Sequence, residues 1–381
     1  MNTITLLQPP RIVFGSNCTP QCVELFTQRG IRRVLLVSST PVLPHIGFLI
    51  EALGKAGCEV IQSRPVDCEP TTGLFEQILA DAKKAGIEAV LGIGGGSPLD
   101  VAKLVAALVR GRQSMSEVFG INLLQGRDLF LVCLPTTAGT GSEVSPNSIL
   151  LDEVDQLKKG VISPHLVPDA AFIDPLLTVS VPGPVTAATG LDALTHCIEA
   201  YANKFAHPIT DQYALQGMRL ISANLLRAVR DGADVEARAN LALGSLYGGL
   251  CLGPVNTAAV HALAYPLGSW FKIPHGVSNA VLLPNVLRFN FSAAPERYAE
   301  VAVALGVERN QSALGTAEHG VERLAELSRA CGVPQRLSDF NIPQGALPAM
   351  ARAAMQITRL LKNNLRPVTE LDAVKIYEAT Y

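Results

Sequence analysis

The sequence contains little charge and lacks the features that mark several other protein classes. Charged residues make up 17% of the 381 residues and the formal net charge is −2, so no basic surface for nucleic acid is expected. The most apolar stretch, residues 89–109, contains Asp100 and Lys103, which argues against a membrane-spanning helix. Residues 1–5 lack the basic and apolar regions of a secretory signal. These absences favour a protein that binds neither nucleic acid nor membranes.

The eight cysteines also lack a pattern that would indicate disulfides or a cysteine metal site. They are scattered along the chain without a CxxC pair. Unpatterned cysteines are typical of proteins that stay in a reducing compartment. We therefore predict a cytoplasmic protein.

Length and patterning predict two domains of different class. In the first 180 residues or so, short β-branched runs alternate with helical stretches, which predicts a parallel sheet covered on both faces. After Pro182, long Ala- and Leu-rich amphipathic stretches predict helices only. The predicted domains are residues 1–182 and 183–381. The predicted strands are residues 33–37, 59–61, 89–93, 129–133 and 171–173, and the longest predicted helices are residues 186–203, 209–232 and 235–251.

A glycine run follows the strand that ends at Ile93. The run is Gly94, Gly95 and Gly96, with Ser97 as the expected N-cap of a helix and Pro98 at its first position. Backbone N–H groups at such a helix start approach a phosphate closely. The run is not the GxGxxG fingerprint, so a plain tight turn is the alternative interpretation.

A second loop, rich in threonine and glycine, follows the next predicted strand. Residues 135–143 read PTTAGTGSE. Ligands of open α/β sheets bind at the carboxyl ends of the strands. Two such loops on consecutive strands indicate a nucleotide site, although a flexible linker would have a similar composition.

One carboxylate and three imidazoles are the strongest chemical signal of the second domain. Asp192 and His196 are four residues apart, which puts both on one helix face, and His261 and His275 follow in a small, apolar context. This donor set suits Fe(II) or Zn(II) and leaves positions open for a substrate oxygen. Separate core histidines are the alternative.

Taken together, these motifs resemble the iron-containing (group III) alcohol dehydrogenases, which share a fold with glycerol dehydrogenase and dehydroquinate synthase. The matching segments are residues 94–103, 135–143, 189–196, 273–276 and 360–364. The resemblance implies an α/β N-terminal Rossmann-like nucleotide-binding domain plus an all-α C-terminal domain, with a dehydroquinate synthase-like fold. It also implies NAD or NADP, Fe(II) or Zn(II), a small alcohol, aldehyde or oxo-acid substrate, and a homodimer.

The resemblance assigns roles to individual residues. The expected cofactor contacts are Ser39, Gly94, Gly95, Gly96, Ser97, Asp100, Thr136, Thr137, Thr140 and Lys158. The expected metal ligands are Asp192, His196, His261 and His275, and the expected catalytic residues are His261, His275 and Tyr265. The metal would favour the alkoxide of an alcohol, from which hydride passes to the nicotinamide.

Two positions depart from the family pattern. Many members carry a second histidine four residues after the third ligand, where this chain has Tyr265. A tyrosine, with an ordinary pKa near ~10, is a weaker proton relay than histidine, and packing is its other interpretation. At the end of the first predicted strand, members that prefer NAD often carry Asp, and here Ser39 leaves room for the 2′-phosphate of NADP.

Four other functions remain open on this sequence. A maleylacetate-reductase-like enzyme would not need the metal set, and only Tyr265 hints at a hydroxyacid–oxoacid transhydrogenase. A dehydroquinate-synthase-like lyase needs several cations for a phosphate-bearing substrate, but residues 256–271 contain no Lys or Arg. A nucleotide-binding protein with a purely structural metal is the alternative that is not an enzyme.

Overall fold

The structure is a computed structural model that describes residues 3–155 and 157–381. Within these residues the chain forms two compact units. The sheet unit comprises residues 7–137 and 141–179, and the helical unit comprises residues 3–6, 138–140 and 180–381. An α/β unit followed by a helical unit confirms the predicted fold class. Among the described residues, none of the helices combines the length and apolar character needed to span a bilayer.

The sheet unit contains a six-stranded parallel sheet and a small second sheet. Its strands are β1 (Arg11–Phe14), β2 (Arg33–Val37), β3 (Glu59–Gln62), β4 (Ala89–Gly94), β5 (Gly120–Ile121), β6 (Phe130–Pro135), β7 (Asn147–Asp152), β8 (Leu157–Ile162) and β9 (Ala170–Ile173). The large sheet has the order β1-β9-β6-β4-β2-β3, and every pair is parallel. The small sheet has the order β5-β8-β7, in which β7 and β8 are antiparallel.

Helices cover both faces of the large sheet. They are α1 (Cys22–Gln28), α2 (Gly47–Lys55), α3 (Thr72–Ala85), α4 (Gly96–Leu108) and α5 (Met115–Val118). Leu35 of β2 joins one hydrophobic cluster, and Leu36, which points to the other face, joins a second. Burial on both sides explains the continuous apolar runs that made the central strands readable from sequence.

Sequence patterning missed four strands of the sheet unit. β1 is a short edge strand, and β5 has only two residues. The β7–β8 hairpin carries charged residues within a partly buried surface, so it lacks the apolar signature of the central strands. Apart from these four strands, the prediction that strands alternate with helices in this unit was correct.

The helical unit is built around a central helix. Its helices are α6 (Gly183–Tyr201), α7 (Pro208–Arg230), α8 (Val235–Leu252), α9 (Ala259–Phe271), α10 (His275–Asn290), α11 (Pro295–Ala304), α12 (Ala313–Ala330), α13 (Leu347–Met355), α14 (Thr358–Leu361) and α15 (Glu370–Thr380). Helix α6 packs against α7, α8 and α10, and most of its side chains are buried. Polar residues on α6 are therefore held in a fixed, mostly dry environment.

Candidate metal centre and nucleotide-binding loops

Three helices of the helical unit each bring one pair of polar residues to a common point. The pairs are Asp192 and His196 on α6, His261 and Tyr265 on α9, and His275 and Asn279 on α10. In every pair the residues are four apart, so both side chains lie on one face of their helix. The four-residue spacing thus places both side chains of each pair on the same face of their helix.

The four predicted ligands surround one carboxylate oxygen. Oδ1 of Asp192 lies 3.6 Å from Nε2 of His261, 3.7 Å from Nε2 of His275 and 3.8 Å from Nε2 of His196. Ligand atoms of Asp192, His261 and His275 all lie within 4.8 Å of one another, and the His196 ring stacks on His261 with centroids 4.8 Å apart. The structure therefore brings all four together, with three in the tightest group.

A glycine allows α10 to approach α6 closely enough to place His275. Helix α10 begins at His275, and a Cβ atom on Gly276 would lie 2.1 Å from the carbonyl oxygen of Ala188 on α6. Any side chain at this position would push the two helices apart. The close approach sets the distance between His275 and Asp192.

Glu199 fixes the orientation of His261, although the sequence patterning did not single it out. Nδ1–H of His261 donates to Oε2 of Glu199 at 2.6 Å, and the Val260 N–H donates to Oε1 at 2.6 Å. Because Glu199 engages Nδ1, the ring is oriented with Nε2 toward Asp192. Glu199 lies seven residues after Asp192, which places it on the same face of α6.

Electrostatics at the centre follow from burial and close charges. Burial alone would lower the pKa of His261, but the Glu199 carboxylate and the contact with Asp192 outweigh it and raise that pKa to about 10. Burial lowers the pKa of His196. For Asp192, burial acts to raise the pKa, yet the charges of His196 and His275 and the His261 contact bring it well below its usual range. Asp192 is therefore an anion that needs positive charge around it.

The donor set fits a divalent cation. The amide Nδ2 of Asn279 lies 2.7 Å from Oδ1 of Asp192, 3.1 Å from Nε2 of His261 and 3.3 Å from Nε2 of His275. Three potential ligand atoms thus converge on one amide group, and the buried Oδ1 of Asn279 has no partner among the described residues. One carboxylate oxygen and three imidazole nitrogens are ligands that Fe(II) and Zn(II) accept. The His275 side chain is 32% exposed, so the centre is accessible from that side.

In the sheet unit, three neighbouring strands end at the same edge, where the predicted nucleotide loops lie. β2, β4 and β6 are adjacent and parallel, and the Thr136 N–H donates to the carbonyl of Gly94 at 2.9 Å. A Cβ atom on Gly94 would lie 2.7 Å from Cγ of Pro98, so the loop packs tightly on the helix start. Helix α4 begins at Gly96 with Gly95 as N-cap, so the prediction that Ser97 is the cap was wrong. The helix therefore starts two residues earlier than predicted, and Ser97 lies inside its first turn.

Asp100 lies in a buried network of the sheet unit. The Ser142 hydroxyl donates to Oδ1 of Asp100 at 2.5 Å, and the Ile149 N–H donates to Oδ2 at 2.8 Å. The fully buried Lys103 ammonium lies 3.4 Å from Oδ1 and donates to the Ser142 carbonyl at 2.9 Å. Burial raises the pKa of Asp100 despite these partners. One carboxylate oxygen therefore holds α4 against the loop after β6, and the other holds it against β7.

The remaining predicted cofactor residues occupy varied environments. Thr136 is buried and Thr137 is partly exposed in the sheet unit, whereas Thr140 belongs to the helical unit. Lys158 is largely buried and its Nζ lies 2.5 Å from Oε1 of Glu69. Ser39 is partly exposed directly after β2.

An acidic side chain lies next to the Ser39 position. Both the N–H and the hydroxyl of Thr40 donate to the Asp67 carboxylate, at 2.6 and 2.7 Å. Asp67 follows β3, and the neighbouring Val66 N–H donates to the Ser38 carbonyl. The Asp67 carboxylate therefore bonds to the residue next to Ser39. The sequence prediction considered Ser39 alone and did not include this carboxylate.

Tyr265 has an arginine partner that is distant in sequence. Nη2–H of Arg359, on α14, donates to the Tyr265 hydroxyl at 2.6 Å. The Tyr265 ring centroid lies 6.4 Å from that of His275. Helical spacing could have drawn attention to Asn279, four residues after His275, but no sequence signal pointed to Arg359.

The chain is similar to proteins of one known family over its whole length. The family described as iron-containing alcohol dehydrogenase matches residues 9–175, and the C-terminal part of the same family matches residues 186–381. Long-chain-alcohol dehydrogenase 1 of Geobacillus thermodenitrificans is 38% identical over 390 aligned positions, which span 100% of this chain and 98% of the relative. A 1,3-propanediol dehydrogenase of Klebsiella pneumoniae is 37% identical and covers 90% of each chain. A crystal structure of a 1,3-propanediol oxidoreductase superposes with a TM-score of 0.96 at 33% identity over the full length of both chains.

Proposed function

The chain belongs to the iron-containing alcohol dehydrogenase family, and from this premise we propose the residues that carry its reaction. It is an NAD-linked oxidoreductase that interconverts alcohols with aldehydes or ketones. We propose that Asp192, His196, His261 and His275 hold its iron. The observation that supports this assignment is the convergence of three Nε2 atoms on Oδ1 of Asp192, at 3.6–3.8 Å.

The protein groups around the metal position define its electrostatics and its access. Bound there, iron supplies a Lewis acid that polarises the oxygen of an alcohol or a carbonyl group. Asp192 and Glu199 bring two buried carboxylates, whose negative charge compensates that of a divalent cation. Glu199 keeps the proton of His261 on Nδ1, and so keeps Nε2 available as a ligand. The partly exposed His275 and Tyr265 beside it mark the side from which a substrate approaches.

We assign cofactor binding to the sheet unit. The Gly94–Gly95 turn and the N-terminus of α4 present backbone N–H groups and a favourable dipole to a pyrophosphate. Asp100 supports this surface by holding α4 to the Ser142 loop, at 2.5 Å from the Ser142 hydroxyl. The two proposed domains keep the boundaries 1–182, for NAD(P), and 183–381, for the metal and catalysis.

We propose that NAD is preferred over NADP. Ser39 alone would admit a 2′-phosphate, but the Asp67 carboxylate is bonded to the adjacent Thr40 at 2.6 Å. If the adenosine ribose lies at this edge, as the family resemblance implies, Asp67 repels a second negative group there. Lys158 is less suited to balance that charge, because Glu69 already pairs with it.

The alternative functions considered from the sequence differ in the role that the metal would have. A maleylacetate-reductase-like reaction would proceed without it, whereas a binding protein would need it only for stability. A transhydrogenase would retain its cofactor through the cycle. A dehydroquinate-synthase-like lyase would need a set of cations around the substrate, and the structure shows Arg359 in contact with Tyr265.

The test is metal removal and reconstitution with turnover as the readout. We would strip the protein with a chelator, restore Fe(II) or Zn(II), and follow NADH and NADPH absorbance with alcohols, aldehydes and maleylacetate. His275→Ala should lose metal and activity, and the exposed His165→Ala should keep both. Maleylacetate reduction that survives stripping would contradict the proposal.

We also propose a cytoplasmic homodimer. The cytoplasmic location is supported by eight cysteines that form no disulfide among them. The dimer is supported by the family resemblance and by the prevalence of twofold symmetry among soluble oligomers.

A further inference from the structure

Resting on the proposed function, we propose that the physiological substrate carries a carboxylate, which Arg359 binds beside Tyr265. The substrate is then a hydroxy acid, or the corresponding oxo acid in the reverse direction. The reaction remains one hydride transfer, in which the carbinol carbon gives hydride to NAD and its hydroxyl gives a proton, so the hydroxy acid becomes an oxo acid.

Arg359 lies at the accessible side of the metal centre. Its guanidinium carbon is 5.8 Å from the centroid of the Tyr265 ring, and that ring is 6.4 Å from the His275 ring. His275 has a 32% exposed side chain, whereas those of Asp192 and His261 are 4% and 5% exposed. A molecule with its oxygen at the metal position therefore extends past His275 toward Tyr265 and Arg359.

The guanidinium has unused binding capacity. It carries five N–H donors, and within the described part of the helical unit its hydrogen bond is the one to Tyr265. No carboxylate in that part of the chain lies within 4.0 Å of it. Other partly buried arginines of the unit differ, since Arg297 pairs with Asp211 at 2.7 Å. A partly buried cation without a counter-ion is costly, and an anionic ligand would relieve that cost.

Apolar packing holds this arginine in place. The neighbouring residue Leu360 is buried and packs with Ala262 and Tyr265, while Ile357 and Leu361 flank the cluster. Because Tyr265 holds one end of the guanidinium, the remaining donors form a fixed edge. A carboxylate matches such an edge in shape and charge.

Arg359 adds a cation that the sequence pattern did not reveal. The lack of Lys and Arg in residues 256–271 disfavoured a dehydroquinate-synthase-like lyase with a phosphate-bearing substrate. Folding brings in a cation from α14, at position 359, and places it against that same segment. A single arginine suits one carboxylate, in contrast to the several cations that a phosphate-bearing substrate needs.

The test compares charged and neutral substrates of equal length in the metal-loaded enzyme. Terminal oxo acids from three to six carbons would be paired with the alkanals of the same length, and sulfonate and phosphonate analogues would form a third arm. In the wild type we expect kcat/KM to be at least ~10-fold higher for the best oxo acid than for its alkanal, because a hydrogen bond to a charged group contributes that much. The sulfonate and phosphonate arms should turn over more slowly than the carboxylate.

Substitution separates recognition from a structural role. Arg359→Met should lower kcat/KM for the oxo acid by about 10- to 100-fold, mainly through KM, and change that for the alkanal less than about 2-fold. Arg359→Lys should retain part of the preference. Arg352→Met, an exposed arginine on α13, is the matched control and should leave the preference unchanged. Competitive inhibition by butanoate but not by butanamide, lost in Arg359→Met, is the binding readout.

The outcomes separate the two proposals. Equal loss of both substrate types in Arg359→Met, or a wild type that prefers alkanals, would overturn carboxylate recognition and leave the dehydrogenase assignment standing. A preference for the phosphonate or sulfonate analogues would overturn the carboxylate. If neither substrate type turns over in a metal-dependent manner, the proposed function itself fails.

Discussion

Glu199→Gln is the substitution that most directly tests how the protein orients its proposed metal ligands. Glu199 accepts two short hydrogen bonds, from Nδ1–H of His261 and from the Val260 N–H, both at 2.6 Å. Glutamine keeps the shape but replaces one acceptor oxygen with an NH₂ group. That group then faces an N–H donor, so either the Val260 bond is lost or His261 moves its proton to Nε2.

If the proton of His261 moves to Nε2, it occupies the atom that we propose binds the metal. Removing the partner that orients a metal-bound histidine typically lowers metal affinity by about 10- to 100-fold, or roughly 1.4–2.7 kcal/mol. We expect a loss in this range, together with a smaller fall in activity at saturating metal. Glu199→Asp should be intermediate, because it keeps the charge but shortens the reach.

The assay is chelator competition with Co(II), whose absorption bands report the ligand geometry, followed by the same titration with Fe(II). Asp174→Asn is the control, since Asp174 is also buried and accepts bonds from the Thr19 N–H and hydroxyl, but lies in the sheet unit. It should lower thermal stability without changing metal affinity. An unchanged dissociation constant and unchanged Co(II) spectrum in Glu199→Gln would refute the reasoning.

Three further substitutions probe other parts of the account. Gly276→Ala should force α10 from α6, because its Cβ would meet the Ala188 carbonyl at 2.1 Å, and lower metal affinity more than ~10-fold by the same titration; Gly345→Ala, with open space around it, should not. Asp67→Asn should raise kcat/KM with NADPH relative to NADH by about 10-fold, and an unchanged ratio would show that Asp67 does not face the 2′-phosphate. Burial raises the pKa of Glu143 from 4.5 to about 7, so its contribution to stability falls as pH rises from the lower to the upper value. In urea unfolding of the metal-free protein, Glu143→Gln should therefore reduce the fall in stability between these pH values by up to about 3 kcal/mol, and a parallel pH dependence in both proteins would contradict this.

The fold class was predictable because each half of the chain has one dominant hydrophobic pattern. The central strands are buried on both faces, and the residues of β2 divide between two clusters, so their sequences are continuously apolar. The helical half shows the 3.6-residue period over long stretches. The β7–β8 hairpin was not predictable, because its strands are half-exposed and charged.

The candidate metal centre was partly predictable for a similar reason. Pairs four residues apart, such as Asp192 and His196, are visible as helix faces in the sequence. That α6, α9 and α10 meet at one point depends on packing, including the contact of Gly276 with Ala188, which sequence spacing does not encode. Arg359 is the extreme case, because its partner Tyr265 lies 94 residues away.

The residue at which a helix begins was harder to predict from the sequence than the presence of the helix. Ser97 has the usual chemistry of an N-cap, yet α4 begins at Gly96. The glycine backbone adopts the required turn without a side-chain cap. At the other end of the chain, α15 begins with a capping box between Thr369 and Asp372, whose hydrogen bonds are both local.

The most direct test of the central claim is the position of the metal itself. Crystals of the Fe(II)-loaded protein would be measured at the iron absorption edge, and the anomalous difference map would locate the ion. We expect one strong peak among Oδ1 of Asp192 and the Nε2 atoms of His196, His261 and His275, with the Asn279 amide displaced from its 2.7 Å contact with Asp192. A peak elsewhere, or an ion that leaves His196 or His261 uncoordinated, would contradict it.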